Sequence, residues 1–433
     1  MKIYRDKLEE LVKWKGKASR KPLLLNGARQ VGKSWLVREF GESHFNGKVL
    51  TINFEKRRDI HTVFEKNLDV KRIILEIGLT TETKIAEGEI LLFFDEIQEC
   101  PNALMSLRYF YEEMPNLHLI AAGSLLDFAF SENPYPVGRV ETLDLQPISF
   151  VEFLQARGRH ATAHFIKTGE LQNLESEILK NILEEEYHNY LIVGGMPECV
   201  SAFAQNSDYS EVQKIQDDLL YAYEQDFKKY RPQVSEDCLL DILSNATKFI
   251  GSQIIYTKLS ERFTSPTIKK GLELLKTARL LHAVENVSIS GLPFTSSGKQ
   301  FKVFYLDIGL MVRKSGIDFR SIYFKNELNA AFQGALAKQF VAQQLVAHQG
   351  TKLKYWARTE GSASSELDFV IASEGKIIPI EVKAGKKGAL KSLKYVLEKY
   401  PHIEKAIVYS NAHSGVNGKI QFLQIWFAGI KFN

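Results

Sequence analysis

Residues 27 to 34 read Gly27-Ala28-Arg29-Gln30-Val31-Gly32-Lys33-Ser34, directly after the apolar run Leu23-Leu24-Leu25. Few stretches restrict a fold so tightly. An apolar strand must end here, and a helix must open near Lys33. Between them the glycines let the backbone curl so that successive N–H groups point at one spot. The helix N-terminus adds the positive end of its dipole. Such a loop is built to hold phosphate oxygens, and its setting between strand and helix is what makes the motif specific. Lys33 is placed for the β- and γ-phosphates of ATP, and the Ser34 hydroxyl for Mg²⁺. Gly27, Ala28, Arg29, Gln30, Val31 and Gly32 supply the backbone of the cradle.

A second element supports the same chemistry. Ile90-Leu91-Leu92-Phe93-Phe94 is an apolar strand followed by Asp95-Glu96. Carboxylates at a strand end beside a phosphate loop place Asp95 to hold Mg²⁺, directly or through water. Glu96 is then placed to polarise the attacking water as a general base.

The chain has 433 residues, too many for one core, so two to four domains are expected. With 45% hydrophobic and 25% charged residues, it has the composition of a folded protein rather than a disordered one. A net charge of +4 is a small excess for this length, so any nucleic-acid surface must come from local clustering. Cys100, Cys199 and Cys238 lack zinc-ligand spacing and read as free thiols, buried or half-buried, in a reducing compartment. The N-terminus has no apolar signal core, and no apolar run reaches the length of a membrane span. The expectation is a cytoplasmic protein with no membrane partner.

Segment by segment, the fold class expected is α/β. Residues 1–155 alternate short buried strands (Val49 to Phe54, Ile90 to Phe94, Leu117 to Ala122) with helices, as βαβ units do. Residues 156–245 read as helical, with Glu184-Glu185-Glu186 as a solvated face and a break at Gly194-Gly195-Met196-Pro197. Residues 246–318 read as two short helices, Ile255 to Phe263 and Pro266 to Thr277, then a hairpin around the Gly/Ser-rich stretch Ser288 to Gly298. Residues 319–433 read as a last α/β unit, with a helix from Asn329 to Ala347 and five strands.

That last unit carries its own constellation. Asp368 lies in the strand Glu366 to Ile371, and Glu381 and Lys383 in the next, with twelve residues between Asp368 and Glu381. Strand alternation puts Glu381 and Lys383 on one face. Two carboxylates from neighbouring strands plus a lysine outline a hydrolytic site. Asp368 and Glu381 would hold a second Mg²⁺ or Mn²⁺, and Lys383 would orient or deprotonate water.

The phosphate loop, Phe94-Asp95-Glu96-Ile97-Gln98, Ala122-Gly123-Ser124, Gly138-Arg139-Val140-Glu141 and Pro147-Ile148-Ser149-Phe150-x-Glu152-Phe153 together resemble the AAA-type P-loop ATPases. Within them the chain is similar to a bacterial and archaeal group with a AAA-type core joined to a C-terminal region. The resemblance implies a AAA-type parallel sheet in 1–155 and a helical lid in 156–245. It implies that Ser124 is a polar sensor for the attacking water or γ-phosphate. Arg139 would be an arginine finger acting in trans within a homo-oligomer, and Asn53 would restrain Glu96 until a partner binds.

Tyr256 to Lys270 resembles a winged helix-turn-helix. Ser265 would cap a recognition helix, and Thr267, Lys269 and Lys270 would face DNA or a protein partner. Asp368, Glu381 and Lys383 match the core of the restriction-endonuclease-like nucleases. Lys338, in Gly334-Ala335-Leu336-Ala337-Lys338-Gln339-Phe340-Val341, departs from that pattern, which has a glutamate on this helix. The resemblance therefore implies an ATPase coupled to a nuclease-like region acting on DNA or RNA. The alternative is a nucleotide-dependent switch or binding module with an inactive nuclease-like fold.

Overall fold

The computed structural model describes residues 3–124, 126, 138–169, 176–230, 233–318, 330–350, 352–358, 365–385, 390–412 and 414–430. The chain divides into two units, Arg5–Gln146 and Pro147–Asn433, the latter joined by the first four residues.

The Arg5–Gln146 unit is a five-stranded parallel sheet, β1 (Leu23–Asn26), β2 (Val49–Asn53), β3 (Leu91–Asp95), β4 (His118–Ala122) and β5 (Glu141–Asp144), in the order β2-β3-β4-β1-β5. Helices α1 (Lys7–Lys15), α2 (Lys33–His44), α3 (His61–Glu65), α4 (Val70–Thr80) and α5 (Pro101–Glu113) accompany it. β3 and β4 are buried along their whole length, as central parallel strands must be. Phe54, Phe64, Phe94 and Phe110 stack edge to face within one core. Because the strands are parallel, Asn26, Asn53, Asp95 and Ala122 end at one edge of the sheet, where ligands of open α/β sheets bind.

His118 lies buried at the start of β4, edge-on to Trp14 and Phe45. Burial, with the charges of Arg20 and Lys15, pushes its pKa down to about 4. The unfolded chain therefore binds a proton here before the folded one does, and stability is lost as pH falls from about 6.5 toward 4. We expect His118→Gln to lose less melting temperature than the parent between pH 7 and pH 5, with up to about 2 kcal/mol of the acid sensitivity removed over that range. Melting curves across that range test this, and parallel pH dependences would refute it.

The Pro147–Asn433 unit begins with helices Phe150–Ala156, His160–Thr168, Glu177–Val193, Pro197–Asn206, Tyr209–Asp226 and Glu236–Ala246. The Ser149/Glu152 motif is a reciprocal cap: Ser149 Oγ accepts from Glu152 N at 3.2 Å, and Glu152 Oε2 from Ser149 N at 2.8 Å. Glu186 corrects the solvated-face reading of its acidic run. It is 1% exposed, with Arg157 and Arg159 each at 3.4 Å and Asn189 at 3.2 Å. Helical periodicity turns this member of the run inward, and the two arginines compensate its charge.

The expected helix Ile255 to Phe263 shrinks to one 3₁₀ turn, Tyr256–Lys258. Ser260 Oγ bonds Asp241 at 2.8 Å and accepts from Arg262 N at 3.2 Å, a local alternative to helical bonding. The second helix is Ser265–Thr277, so Ser265 lies inside it. Thr264 takes the cap position without a side-chain bond to the backbone, and Pro266 is in the first turn. Its packing partner is Glu236–Ala246, where a Cβ on Gly271 would come within 2.6 Å of Ile242 Cδ1.

The remaining strands are β6 (Leu281–Ser288), β7 (Thr295–Tyr305), β8 (Lys354–Ala357), β9 (Glu366–Ser373), β10 (Lys376–Val382), β11 (Ala406–Ser410), β12 (Gly415–Asn417) and β13 (Ile420–Gln424). They form one sheet in the order β12-β13-β11-β10-β9-β8-β6-β7. The hairpin β6–β7 is thus hydrogen-bonded into the C-terminal strands through β8, across the bound expected at 318/319. Helices Ile308–Lys314, Ala330–Gln349 and Lys391–Lys399 complete the unit.

Candidate functional site

The loop after β1 has the curled backbone that its sequence demands. Gly27 and Gly32 have φ of 154° and 93°, and Gln30 stands at 62°. A Cβ on Gly27 would lie 2.5 Å from the Leu145 carbonyl oxygen, so the position admits only glycine without backbone movement. We expect Gly27→Ala to lower stability by about 1–3 kcal/mol and to weaken ATP binding. Chemical denaturation with a parallel nucleotide titration tests this, and an unchanged midpoint would remove the close approach as a constraint. Ala28 and Val31 are buried against the unit's core, while Arg29 is half-buried.

Lys33, in the first turn of α2, is 7% exposed. Its ammonium donates to the carbonyls of Gly27 at 2.9 Å and Ala28 at 2.8 Å. It therefore lies across the loop's concavity, held where a phosphate would meet it. The Ser34 hydroxyl is 3.1 and 3.0 Å from the two Asp95 carboxylate oxygens. Asn53 Nδ2 donates to Asp95 Oδ2 at 3.3 Å. Burial raises the Asp95 pKa, against the lowering hydrogen bonds from Ser34 and Asn53. A hydroxyl and a carboxylate in contact are a hard oxygen donor set, which fits Mg²⁺.

Glu96 follows Asp95 with φ 50° and ψ 46°, a left-handed conformation that turns its side chain off the strand axis. Its carboxylate accepts from Gln98 Nε2 at 2.7 Å. Asn53 contacts Asp95 rather than Glu96, which corrects the expected Asn53–Glu96 restraint. Asn53 pairs with Asp95 in the β2–β3 register, and the backbone turn at Glu96 carries the next carboxylate toward Gln98. Ser124 is buried, two residues beyond the end of β4. The segment that a cap at Ser124 would serve lies outside the described residues.

Arg139 is not part of this cluster within one chain. It precedes β5, whose Glu141 aligns with Leu23 at the start of β1. Four residues of strand, about 13 Å, separate that edge from the loop. Arg139 Nε instead donates to Glu112 Oε1 at 2.8 Å, and the side chain is 42% exposed.

Two contributors escaped the sequence reading. Arg5 is buried and donates to Val31 O at 3.0 Å and to Gln146 O at 2.6 Å, tying the loop to the segment after β5. Nothing local marked it. Gln98 lies inside the motif run, two residues after the base candidate, and that spacing was the available signal.

In the other unit, β9 and β10 are antiparallel with Phe369 opposite Ile380. One step further along the register sets Asp368 opposite Glu381. The spacing of twelve intervening residues is therefore that of a hairpin. Glu381 Oε1 is 2.6 Å from Lys383 Nζ, and Asp368 Oδ2 accepts from Val382 N at 2.9 Å. Lys338 Nζ lies 2.7 Å from Asp368 Oδ1. Burial and the Asp368 charge push Glu381 up to about 7. Burial would also raise Asp368, but the Lys338 and Lys302 ammoniums outweigh it and hold Asp368 below the usual range. Among the described residues, no group of three or more His, Cys, Asp or Glu is placed to hold a metal. In the helix Ser265–Thr277, Lys269 and Lys270 are exposed and Thr267 is half-buried.

A phosphate loop at the carboxyl edge of a parallel sheet, with a serine and an aspartate in contact beside a buried lysine, is the arrangement of a P-loop nucleotide-binding domain. Residues 19–154 match the family described as an AAA domain. Residues 184–321 and 333–427 match two families described as domains of unknown function (DUF8612 and DUF4143).

Among curated proteins, the chain is similar to an uncharacterized protein of Methanocaldococcus jannaschii, 22% identical over 272 residues, which are 61% of this chain and 56% of that protein. Among solved structures it is similar to PCH-2 of C. elegans (11% identity, 48% of this chain and 65% of that one, TM-score 0.29). It is also similar to Aeropyrum pernix Orc1 in complex with DNA (13%, 75% and 95%, TM-score 0.27) and to Thermotoga maritima RuvB (15%, 64% and 89%, TM-score 0.30). The chain thus spans less than two thirds of the length of the archaeal relative and of PCH-2. No helix among the described residues is long and apolar enough to cross a membrane.

Proposed function

We propose that this chain is a Mg²⁺-dependent ATPase whose nucleotide state controls a C-terminal region acting on nucleic acid or protein. The observation that carries the first part is the contact of Ser34 with Asp95 beside the buried Lys33. The loop amides and Lys33 hold the β- and γ-phosphates. Ser34 and Asp95 would hold Mg²⁺, which supplies neutralisation of phosphate charge when bound. Glu96 takes the proton of the attacking water, and Gln98 keeps its carboxylate in one orientation. Ser124 orients that water or the γ-phosphate. Arg139 would serve only a neighbouring copy, because its own loop is at the far edge of its sheet.

For the C-terminal region, the ion pair of Lys338 with Asp368 favours binding without cutting over metal-dependent cleavage. Exposed Lys269 and Lys270 are the residues offered to phosphates or to an acidic protein surface. ATPase rates with and without DNA or RNA test the coupling, and identical rates would argue for a protein partner. We expect no nicking of plasmid DNA with Mg²⁺ or Mn²⁺. Cleavage by the parent that disappears in Asp368→Ala and Glu381→Ala would restore the nuclease reading.

A further inference from the structure

Asp368 and Glu381 form a carboxylate pair of the kind that a divalent ion ordinarily bridges. In this chain the positive charge comes from the chain itself. Lys338 reaches in from the helix Ala330–Gln349 and meets Asp368 Oδ1 at 2.7 Å. Lys302 of β7, wholly buried, brings a second ammonium to 3.7 Å from the same oxygen. It also pairs with Glu366 and lies 4.8 Å from the centre of the Tyr355 ring. The second Asp368 oxygen is taken by the Val382 amide. Both Asp368 oxygens are therefore engaged. Glu381 gives one oxygen to Lys383, and its other oxygen is buried with no hydrogen-bond partner.

The stem of Lys338 is also built in. Gly251, at φ 68°, faces it so closely that a Cβ would come within 2.7 Å of Lys338 Cδ. Gly251 thus leaves open the space that this stem fills, at a left-handed φ that favours glycine in its own right.

We infer that Lys338 is the resident cation of this centre, standing where a nuclease of this outline would hold a divalent metal. A metal ion approaching Asp368 meets a like charge in contact with its intended ligand, and evicting that ammonium would leave a lysine stem packed against Gly251 without its partner. The region is then a metal-independent one, folded around ammonium–carboxylate pairs. The inference deepens the non-cutting reading above and does not use the ATP site. ATP turnover of the same Lys338 variants should stay at the parental rate, so its failure and that of the ATPase reading are separable.

The test is Mn²⁺ titration by calorimetry of the full chain without nucleotide. The parent's Mn²⁺ binding should be the same in Asp368→Asn and Glu381→Gln. Lys338→Glu, which completes a three-carboxylate set, should gain about one ion per chain. That gain should vanish when Asp368→Asn is added. Should Lys338→Glu not fold, Lys338→Gln replaces it. It removes the ammonium and is expected to gain a weaker Mn²⁺ site that likewise depends on Asp368. Mn²⁺ bound by the parent and lost in Asp368→Asn or Glu381→Gln would overturn the inference. So would a folded Lys338 variant that gains no such site.

Discussion

Lys33→Ala should reduce ATP affinity by about 100-fold and bring hydrolysis to background. A charge-assisted hydrogen bond contributes about 1.5–3 kcal/mol, and this ammonium is held buried against the loop's own carbonyls. The substitution has a structural side as well. In the nucleotide-free protein, Lys33 satisfies the Gly27 and Ala28 carbonyls. Alanine leaves both without that donor, so some loss of melting temperature is expected alongside the loss of affinity. Calorimetric titration with ATP and Mg²⁺, run beside a melting curve, separates the two effects. A folded Lys33→Ala protein that binds ATP as tightly as the parent would end the account of this loop.

Glu96→Gln should do the opposite, keeping ATP while losing turnover. The exchange preserves size and a hydrogen-bonding terminus, so the phosphate contacts stand. What disappears is the group that takes a proton, which contributes typically 10²–10⁴-fold to rate. We expect ATP affinity within a few-fold of the parent and kcat lower by about 10³. Gln98 sharpens the comparison. It donates to Glu96 Oε2 at 2.7 Å, so Gln98→Ala should free the carboxylate without removing it. Its effect on kcat should be smaller than that of Glu96→Gln and should leave the ATP affinity in place. Unimpaired turnover in Glu96→Gln would move the proton-accepting role to another residue.

The sheet edge was legible because its information is local. A strand, a glycine loop and a helix lie within Leu23 to His44, and Asp95-Glu96 closes its own strand. Parallel pairing then brings these local signals together without further instruction. The contacts that hold the site lie elsewhere in the chain. Arg5 reaches a carbonyl at Gln146, and Lys302 reaches Asp368. No window of sequence contains either pair. Asn53 was assigned to the wrong carboxylate because two acidic residues in succession look equivalent until backbone conformation separates them. At Glu96 a left-handed turn does so. The lost helix at Ile255 to Phe263 shows the same limit: the Ser260–Asp241 bond that competes with it joins residues outside one helical window.

The eight-stranded sheet has a practical consequence. Someone dividing this polypeptide for expression would be tempted to begin a fragment at residue 319. β8 would then lose β6, its parallel neighbour at Glu285 and Asn286. A naked edge of backbone amides and carbonyls invites other chains to complete it. Such a fragment should come out of cells as aggregate, whereas one beginning upstream of Leu281 keeps the hairpin and its seal.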